Sequence, residues 1–192
     1  MQFDHEIFFK QYREQFKPKV ITASQVEGLE TLLDFIKDDV ELTDRRHIAY
    51  LLATVKHECA DQFKPIEEFA SGVAMEHNKV LGNIKPGDGP RYKGRGYVQI
   101  TGRANYRRFA HLLGVALEDS PKLALDPATS YQIASLGMRH GLFTGKSLSS
   151  FIHGDHTDFR NARRIINGLD RADKIMGHAE NFMVVLGKSA VS

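Results

Sequence analysis

The stretch RYKGRGYVQITGRANYRRF, residues 91–109, is the irregular centre of an otherwise helical sequence. It contains six basic residues, three glycines, three tyrosines and no acidic residue. Alternation in YVQIT predicts a short strand that places Val98 and Ile100 on the core face. Tyr97, Gln99 and Thr101 then share the opposite face, where Gln99 and Thr101 form a polar pair able to hold a hydroxyl group or a water. For this stretch taken alone, an ordinary half-exposed edge strand is the simpler interpretation.

Segments with helical periodicity flank this centre on both sides. A capping box of Ser24 and Glu27 predicts a helix at about 25–37, and a second helix begins near Thr43. Glycines and prolines between about 70 and 100 predict loops or a short hairpin. With no repeat or linker, the sequence predicts one mainly α domain with a small β element. Further helices are predicted at about 103–113, ended by Gly114, after the Asp126-Pro127 pair, at about 157–166, and in a last stripe of Ile175, Ala179, Phe182 and Leu186.

The composition is that of an ordinary globular chain. It has 192 residues, 42% of them hydrophobic, and a net charge of +2. No apolar run of about 18 residues predicts a transmembrane helix, and a single cysteine, Cys59, excludes an intramolecular disulfide. The first 16 residues mix charged and apolar positions, which is not typical of a signal peptide. We therefore expect synthesis in the cytoplasm and no stable insertion into a membrane.

Three nucleotide- or metal-binding motifs fail on their spacing. The only Gly-Lys-Ser, at 145–147, has His140 where a P-loop requires glycine. The glycines of 87–96 do not fit the dinucleotide-binding pattern. In HECAD, residues 57–61, Asp61 stands where a zinc protease needs its second histidine. These motifs therefore predict neither a nucleotide nor a zinc ion.

The basic and aromatic residues of 91–109 also fit a non-catalytic module that binds nucleic acid or glycans. Cations interleaved with Tyr92, Tyr97 and Tyr106 are a pattern that follows a phosphate backbone and stacks on bases. An acidic stretch at 27–44 nearly balances these cations over the whole chain. Nucleic acid is therefore not an expected partner.

A set of carboxylates remains as candidate acid–base chemistry. Glu58 follows Leu51 by seven residues, which places it about 20° around the helix from that leucine, at the edge of an apolar stripe. Partial burial there disfavours the charged form and is expected to raise the pKa of Glu58, as a general acid requires. Pairing of Glu58 with Lys56 or with a distant arginine explains the position equally well. The stripe consists of Ile48, Leu51, Leu52, Val55 and Cys59.

Glu67 and Glu68 lie about ten residues after Glu58 and offer a second carboxylate. Two carboxyl groups are the minimum for hydrolysing a glycosidic bond, since one protonates the leaving oxygen and the other activates water. The sequence therefore favours a glycosidase-type site over the alternatives above.

Three motifs together resemble glycoside hydrolase family 19, the chitinase-like group of the lysozyme superfamily, and in particular its phage endolysin branch. They are HECADQFKPIEEF at 57–69, YKGRGYVQITGRANY at 92–106 and RRIINGLDRAD at 163–173. The resemblance extends from about residue 22 to 183. It implies a lysozyme-like α+β fold, a helical bundle with a small β-hairpin and loop region along the cleft, in a single catalytic domain of 1–192 without a separate cell-wall-binding domain.

The resemblance also implies roles for individual residues. Glu58 corresponds to the proton donor and Glu68 to the second acid, with Glu67 as the alternative. Thr101 matches the hydroxyl residue that holds the nucleophilic water. Contacts to substrate are implied for Tyr92, Gln99, Asn105 and Asn167. The family needs no metal or organic cofactor.

Two departures from the family pattern affect this site. The usual H-E-T/S-G-G-F is here HECADQF at 57–63, which has one residue more after the acid and lacks the hydroxyl. The loop after Glu58 is therefore expected to be reshaped. Ile-Asn-Gly at 166–168 is followed by Leu169 rather than a second glycine, which is a milder change.

The function implied is inverting hydrolysis of β-1,4 glycosidic bonds, with the two carboxyl groups about 6.5 to 9.5 Å apart or somewhat more. Peptidoglycan glycan strands are the expected substrate and chitin or chitooligosaccharides the alternative, because both share β-1,4-linked N-acetylglucosamine. An endolysin of this kind is expected to be a monomer that waits in the host cytoplasm until a holin releases it to the cell wall. An interbacterial toxin with the same chemistry fits the sequence as well.

Overall fold

A computed structural model describes residues 1–191 of the chain. These residues form two compact units. The first comprises Met1–Phe63 together with the described residues from Ser135 onward, and the second comprises Lys64–Ala134. No helix in this part of the chain is long and apolar enough to cross a membrane. The organisation into one catalytic domain stays a prediction.

Helices dominate the described chain, and strands are limited to two antiparallel pairs of two-residue strands, β1 with β2 and β3 with β4. This confirms the predicted mainly α architecture with a small β element. Short 3-10 helices occur at Val73–Met75, Pro121–Leu125, Leu148–Ser150 and Asn161–Ile165. In chain order the other elements are α1 (His5–Phe16), α2 (Ala23–Asp38), α3 (Arg45–Glu58), β1 (Ile66–Glu67), α4 (Asp88–Arg91), β2 (Arg95–Gly96), α5 (Arg103–Leu113), α6 (Pro127–His140), β3 (Ile152–His153), β4 (His156–Thr157) and α7 (Ala172–Ser189).

Local capping signals account for most helix ends. Helix α5 ends at Gly114, which adopts a left-handed φ of 66° as predicted. The Asp126 carboxylate accepts the Thr129 amide hydrogen at the start of α6. The predicted capping box of α2 is wrong by two residues, because Thr22 caps the helix and the Gln25 side chain accepts the Thr22 amide hydrogen. The same Ser/Thr-x-x-Glu/Gln pattern occurs at both places, and the earlier one starts the helix.

Helix α3 is the centre of the first unit. Its residues 48–56 are all buried, so the helix is covered on every side rather than along one stripe. Helix α7 packs against both α3 and α1. The predicted α7 stripe is confirmed, since its four residues are fully buried: Ile175, Ala179, Phe182 and Leu186. Because protein surrounds α3 on every side, its residues are expected to be apolar around most of its circumference.

Helix α1 is a feature that the sequence interpretation missed. Asp4 caps it by accepting the Ile7 amide hydrogen at 2.8 Å. Phe8, Tyr12 and Phe16 recur every four residues, and Phe16 packs against Phe182 with ring centroids 4.8 Å apart. The cap and the four-residue spacing are both local signals that predict a helix from the sequence.

Two predicted elements are wrong. Residues 97–99 form a turn rather than a strand, because Gly96 and Gln99 adopt φ values of 90° and 54° and the chain reverses between Arg95 and Ile100, which exchange backbone hydrogen bonds. The helix predicted at 157–166 is instead strand β4 followed by the 3-10 helix Asn161–Ile165. Asp158 caps that turn by accepting the Asn161 amide hydrogen at 2.9 Å.

Burial of His178 predicts acid-sensitive stability. Burial, reinforced by the charge of Lys56, lowers the pKa of His178 from 6.5 to about 4. The unfolded chain therefore takes up this proton first, and the free energy of unfolding is expected to fall by on the order of 2 kcal/mol as the pH drops from about 6.5 to 4. Chemical denaturation of wild type and His178→Gln at pH 7 and pH 4.5 measures this. The variant should lose less stability between the two pH values, and equal losses would contradict the assignment.

Candidate active site

The predicted site residues are divided between the two units. Glu58 and Asn167 belong to the first unit. The second unit carries the others: Glu67, Glu68, Tyr92, Gln99, Thr101 and Asn105. Within residues 1–191, no three or more His, Cys, Asp or Glu side chains are grouped so as to hold a metal ion.

Glu58 is the last residue of α3, and its side chain is 17% exposed. Its Oε1 accepts a hydrogen bond from Nη1 of Arg163 at 2.5 Å. Lys56 is not its partner, because the Lys56 ammonium group donates to the Tyr12 hydroxyl and to the Asp61 carboxylate. Of the pairings left open by the sequence, the distant arginine is therefore the one that occurs.

Arg163 holds the carboxylate of Glu58 in place. It lies in the 3-10 helix Asn161–Ile165, is 3% exposed and also donates to the Asp170 carbonyl at 3.1 Å. The sequence interpretation missed it, because it is 105 residues from Glu58 and no local pattern links the two. Its segment did carry a signal, since it begins the RRIING motif. A charge-assisted hydrogen bond of this kind fixes the orientation of a partly buried carboxylate.

Asn167 lies in the same segment as Arg163. Its amide hydrogen is donated to the Arg163 carbonyl at 3.0 Å. Its side chain is exposed, and Oδ1 accepts the Gly168 amide hydrogen at 2.8 Å. The first unit therefore brings Asn167 close to the residue that orients Glu58, and a contact to substrate stays a prediction.

The loop after Glu58 has a strained backbone. Ala60, Asp61 and Phe63 have φ values of 47°, 69° and 53°, although none is glycine. Each such residue costs on the order of 1 kcal/mol or more, so surrounding contacts must hold the loop. Lys56 binds the Asp61 carboxylate, and Gln25 donates to the Asp61 carbonyl at 3.0 Å.

In the second unit, Glu67 and Glu68 have different partners. The Glu67 carboxylate pairs with Arg95 at 2.8 Å and lies 3.7 Å from the Lys93 ammonium group. Glu68 instead accepts the Gly94 amide hydrogen on Oε2 at 3.0 Å, and its own amide hydrogen is donated to the Gly94 carbonyl at 2.9 Å. Glu67 is thus occupied by cations, whereas backbone hydrogen bonds hold Glu68.

Three predicted site residues converge beside Gly94. A methyl group added at this glycine would lie 2.9 Å from Gln99 Oε1 and 3.3 Å from both Glu68 Oε2 and Thr101 Oγ1. A carboxylate, an amide oxygen and a hydroxyl therefore surround one small volume. Such a set can accept the hydrogen atoms of a water and orient its lone pair.

The hairpin around residues 95–100 orients the side chains of Gln99 and Thr101. Gln99 donates both hydrogens of its amide nitrogen, to the Ile66 and Gly96 carbonyls at 2.9 Å each, and its Oε1 faces Gly94. The Thr101 hydroxyl donates to the Gln99 carbonyl at 3.1 Å. Asn105 donates to the Thr101 carbonyl at 2.8 Å. In this structure Asn105 therefore supports the backbone of Thr101.

Gly94→Ala is expected to impair the site without unfolding the chain. The added methyl group would occupy the space shared by Gln99, Glu68 and Thr101. The catalytic activity of this site should fall by roughly tenfold or more, since small misplacements of catalytic groups have effects of this size. Gly187→Ala is the control, because its nearest neighbour would be a guanidinium nitrogen at 3.8 Å. Full activity of Gly94→Ala would show that this space is not used.

Tyr92 and the basic residues of 91–109 are largely engaged within the protein. Tyr92 is 1% exposed, and its hydroxyl donates to the Glu118 carbonyl at 3.0 Å. The contact between Tyr92 and substrate that the sequence implied stays a prediction. Arg103 pairs with the buried Asp88, and Arg107 pairs with Glu118. The Arg103 guanidinium keeps the pKa of Asp88 below its usual value. These ion pairs offset the charges of Arg103 and Arg107, which reduces the positive charge available to a phosphate backbone.

The chain has the fold of family 19 chitinases, which confirms the predicted fold class. It matches chitinase C from Streptomyces griseus with a TM-score of 0.62 and 19% identity, over 98% of this chain and 78% of that one. A bacterial family 19 chitinase matches with a TM-score of 0.59 and 18% identity, over 98% and 97% of the two chains. A class IV chitinase from Zea mays gives 0.56 and 16%, over 98% and 94%. No family model matches the sequence.

Proposed function

We propose that this chain is a glycoside hydrolase that degrades peptidoglycan by inverting hydrolysis of β-1,4 glycosidic bonds. The observation that carries the proposal is the convergence of Glu68, Gln99 and Thr101 beside Gly94. A carboxylate paired with a hydroxyl is the equipment for activating a water as a nucleophile. The partly buried carboxyl group of Glu58 provides the proton donor that the reaction also needs.

The proposed reaction uses Glu58 as the general acid and Glu68 as the general base. Glu58 in its protonated form donates its proton to the bridging oxygen, and the bond from the anomeric carbon to that oxygen breaks. A water oriented by Thr101 attacks the anomeric carbon from the opposite face, and its proton passes to the Glu68 carboxylate. The products are a new reducing end with inverted configuration and a free hydroxyl on the leaving sugar. Proton exchange with solvent restores both carboxyl groups.

Arg163 and Glu67 have supporting roles in this proposal. Arg163 orients the Glu58 carboxyl group through its hydrogen bond to Oε1. Glu67 neutralises the buried Arg95, which also donates to the Tyr106 hydroxyl at 3.0 Å and so holds strand β2 against α5. The second acid is therefore assigned to Glu68, and Glu67 is assigned to structure.

Chitin is the second candidate substrate. The matching proteins from Streptomyces griseus and Zea mays are named as chitinases, which favours chitin or chitooligosaccharides. The endolysin-like motifs of this chain favour peptidoglycan. Both polymers present β-1,4-linked N-acetylglucosamine, so one site can act on either.

We also propose a setting for this activity. The endolysin-like motifs suit a phage or prophage enzyme that is made in the host cytoplasm, acts as a monomer and reaches the cell wall when a holin releases it. An interbacterial toxin would use the same chemistry. A neighbouring gene for a holin would support the phage setting, and a neighbouring gene for an immunity protein would support the toxin.

Substrate preference is tested by comparing two polymers. Turbidity clearing of outer-membrane-permeabilised cells measures peptidoglycan hydrolysis, and reducing-sugar release from colloidal chitin measures chitin hydrolysis. We expect peptidoglycan in the permeabilised cells to be hydrolysed at a higher rate than colloidal chitin. Activity on chitin alone would contradict the preference for peptidoglycan, and activity on neither polymer would contradict the assignment as a glycoside hydrolase.

A further inference from the structure

A pocket of about 400 Å³ opens in the first unit, beside the residue that precedes Glu58. A volume of this size lies at the lower end of the range for ligand sites. The strained loop after α3 forms one wall, and α7 contributes two side chains. The lining residues that matter are Phe16, Lys56, His57, Asp61, Lys174 and His178.

The pocket contains one cation without a partner. Lys56 is 7% exposed and binds the Asp61 carboxylate, so these two charges offset each other. Lys174 has no hydrogen bond or ion pair within residues 1–191, and its side chain is exposed. The pocket therefore has a net charge of one positive unit, located on Lys174.

The two histidines of the pocket are neutral hydrogen-bonding groups near neutral pH. Burial lowers the pKa of His57 below its usual value and that of His178 to about 4. A neutral imidazole has one N–H donor and one acceptor nitrogen. The ring of His178 lies 5.8 Å from that of Phe16, so an apolar surface adjoins these polar groups.

We propose that this pocket binds the carboxylate-bearing substituent of the glycan, the lactyl group and peptide stem that peptidoglycan carries and chitin lacks. One cation, two imidazoles and an aromatic ring match one carboxylate of this stem together with the amide bonds and small apolar side chains beside it. A phosphate dianion would require a second unpaired cation. The charge of the Glu58 carboxylate acts on the His57 imidazole, so the occupant would lie near the candidate acid. This inference rests on the proposed hydrolase function.

Kinetic discrimination between two substrates tests the inference. In Lys174→Gln, the ratio of kcat/KM for peptidoglycan to kcat/KM for N-acetylchitohexaose should fall by roughly fivefold, the value of one modest ion pair. Lys188→Gln is the matched control, because Lys188 lies on the same helix in its last turn and outside the pocket. The control should leave the ratio unchanged.

Binding without catalysis provides a second test. N-acetylmuramoyl dipeptide has one free carboxylate and no glycosidic bond to cleave. It should shift the imidazole NMR resonances of His57 and His178 in the wild-type chain. Its amidated form and free acetate, at the same concentration, should shift them much less. Lys174→Gln should weaken the response by roughly the same fivefold factor.

The outcomes separate this inference from the proposed function. An unchanged ratio in Lys174→Gln, or equal shifts with the amidated ligand, would contradict carboxylate binding in this pocket. The proposed hydrolase function would not be affected. Failure of the wild type to cleave either polymer would contradict the hydrolase. In that case the histidine resonances still decide whether the pocket binds a muramoyl carboxylate.

Discussion

Glu58→Gln is expected to lose roughly 10³-fold or more in kcat, on peptidoglycan and on chitooligosaccharides alike. Glutamine cannot donate a proton to the bridging oxygen, whereas its amide oxygen can still accept the hydrogen bond from Arg163. The change leaves Arg163, whose side chain is 4% exposed, without a carboxylate, so the free energy of unfolding should fall by about 2 kcal/mol while the chain still folds. Substrate binding should be close to that of the wild type.

The measurement is reducing-end release at saturating substrate, together with a thermal melt of each protein. Glu180→Gln is the matched control, because it makes the same chemical change at an exposed position of α7. That control should retain wild-type activity. Appreciable hydrolysis by folded Glu58→Gln would show that another group supplies the proton.

Glu68→Gln and Glu67→Gln are expected to have opposite effects. Loss of Glu68 removes the base beside Gly94, so kcat should fall by roughly 10²-fold to 10³-fold with little change in stability. Loss of Glu67 leaves Arg95, whose side chain is 6% exposed, without its carboxylate. That change should cost about 2 kcal/mol of unfolding free energy and reduce the activity of the folded enzyme only modestly.

Parallel measurement of kcat and of urea denaturation distinguishes the two glutamates. The loss of activity at low pH, which reports protonation of the base, should disappear in Glu68→Gln and persist in Glu67→Gln. The reverse pattern, with a stable but inactive Glu67→Gln, would transfer the base role to Glu67.

Much of the fold was predictable because its signals are local. The end of α5 at Gly114, the Asp126 cap of α6 and the apolar stripe of α7 all depend on residues a few positions apart. Periodicity also identified α3 and placed Glu58 at the edge of its apolar stripe. Helix α1 has equally local signals in its Asp4 cap and in the spacing of its aromatic residues.

The parts of the site that could not be predicted depend on long-range contacts. Arg163 and Glu58 are 105 residues apart in the sequence, and no local pattern near either residue predicts that they pair. Alternation predicted that Gln99 and Thr101 face the same way. It also placed Tyr97, which is 1% exposed, on that open face, and it implied a strand where left-handed residues make a turn. The difference between Glu67 and Glu68 depends on Arg95 and on the Gly94 backbone, so the sequence alone left both as candidates.

The configuration of the first-formed product tests the central claim most directly. Proton NMR of N-acetylchitohexaose or of a muropeptide oligomer, recorded within the first minutes of cleavage, resolves the anomeric protons before mutarotation mixes them. Water activated by Glu68 and a proton from Glu58 should give the α-anomer at the new reducing end. Initial formation of the β-anomer would contradict the assignment of Glu68 as the base, and the absence of any new reducing end would contradict the hydrolase itself.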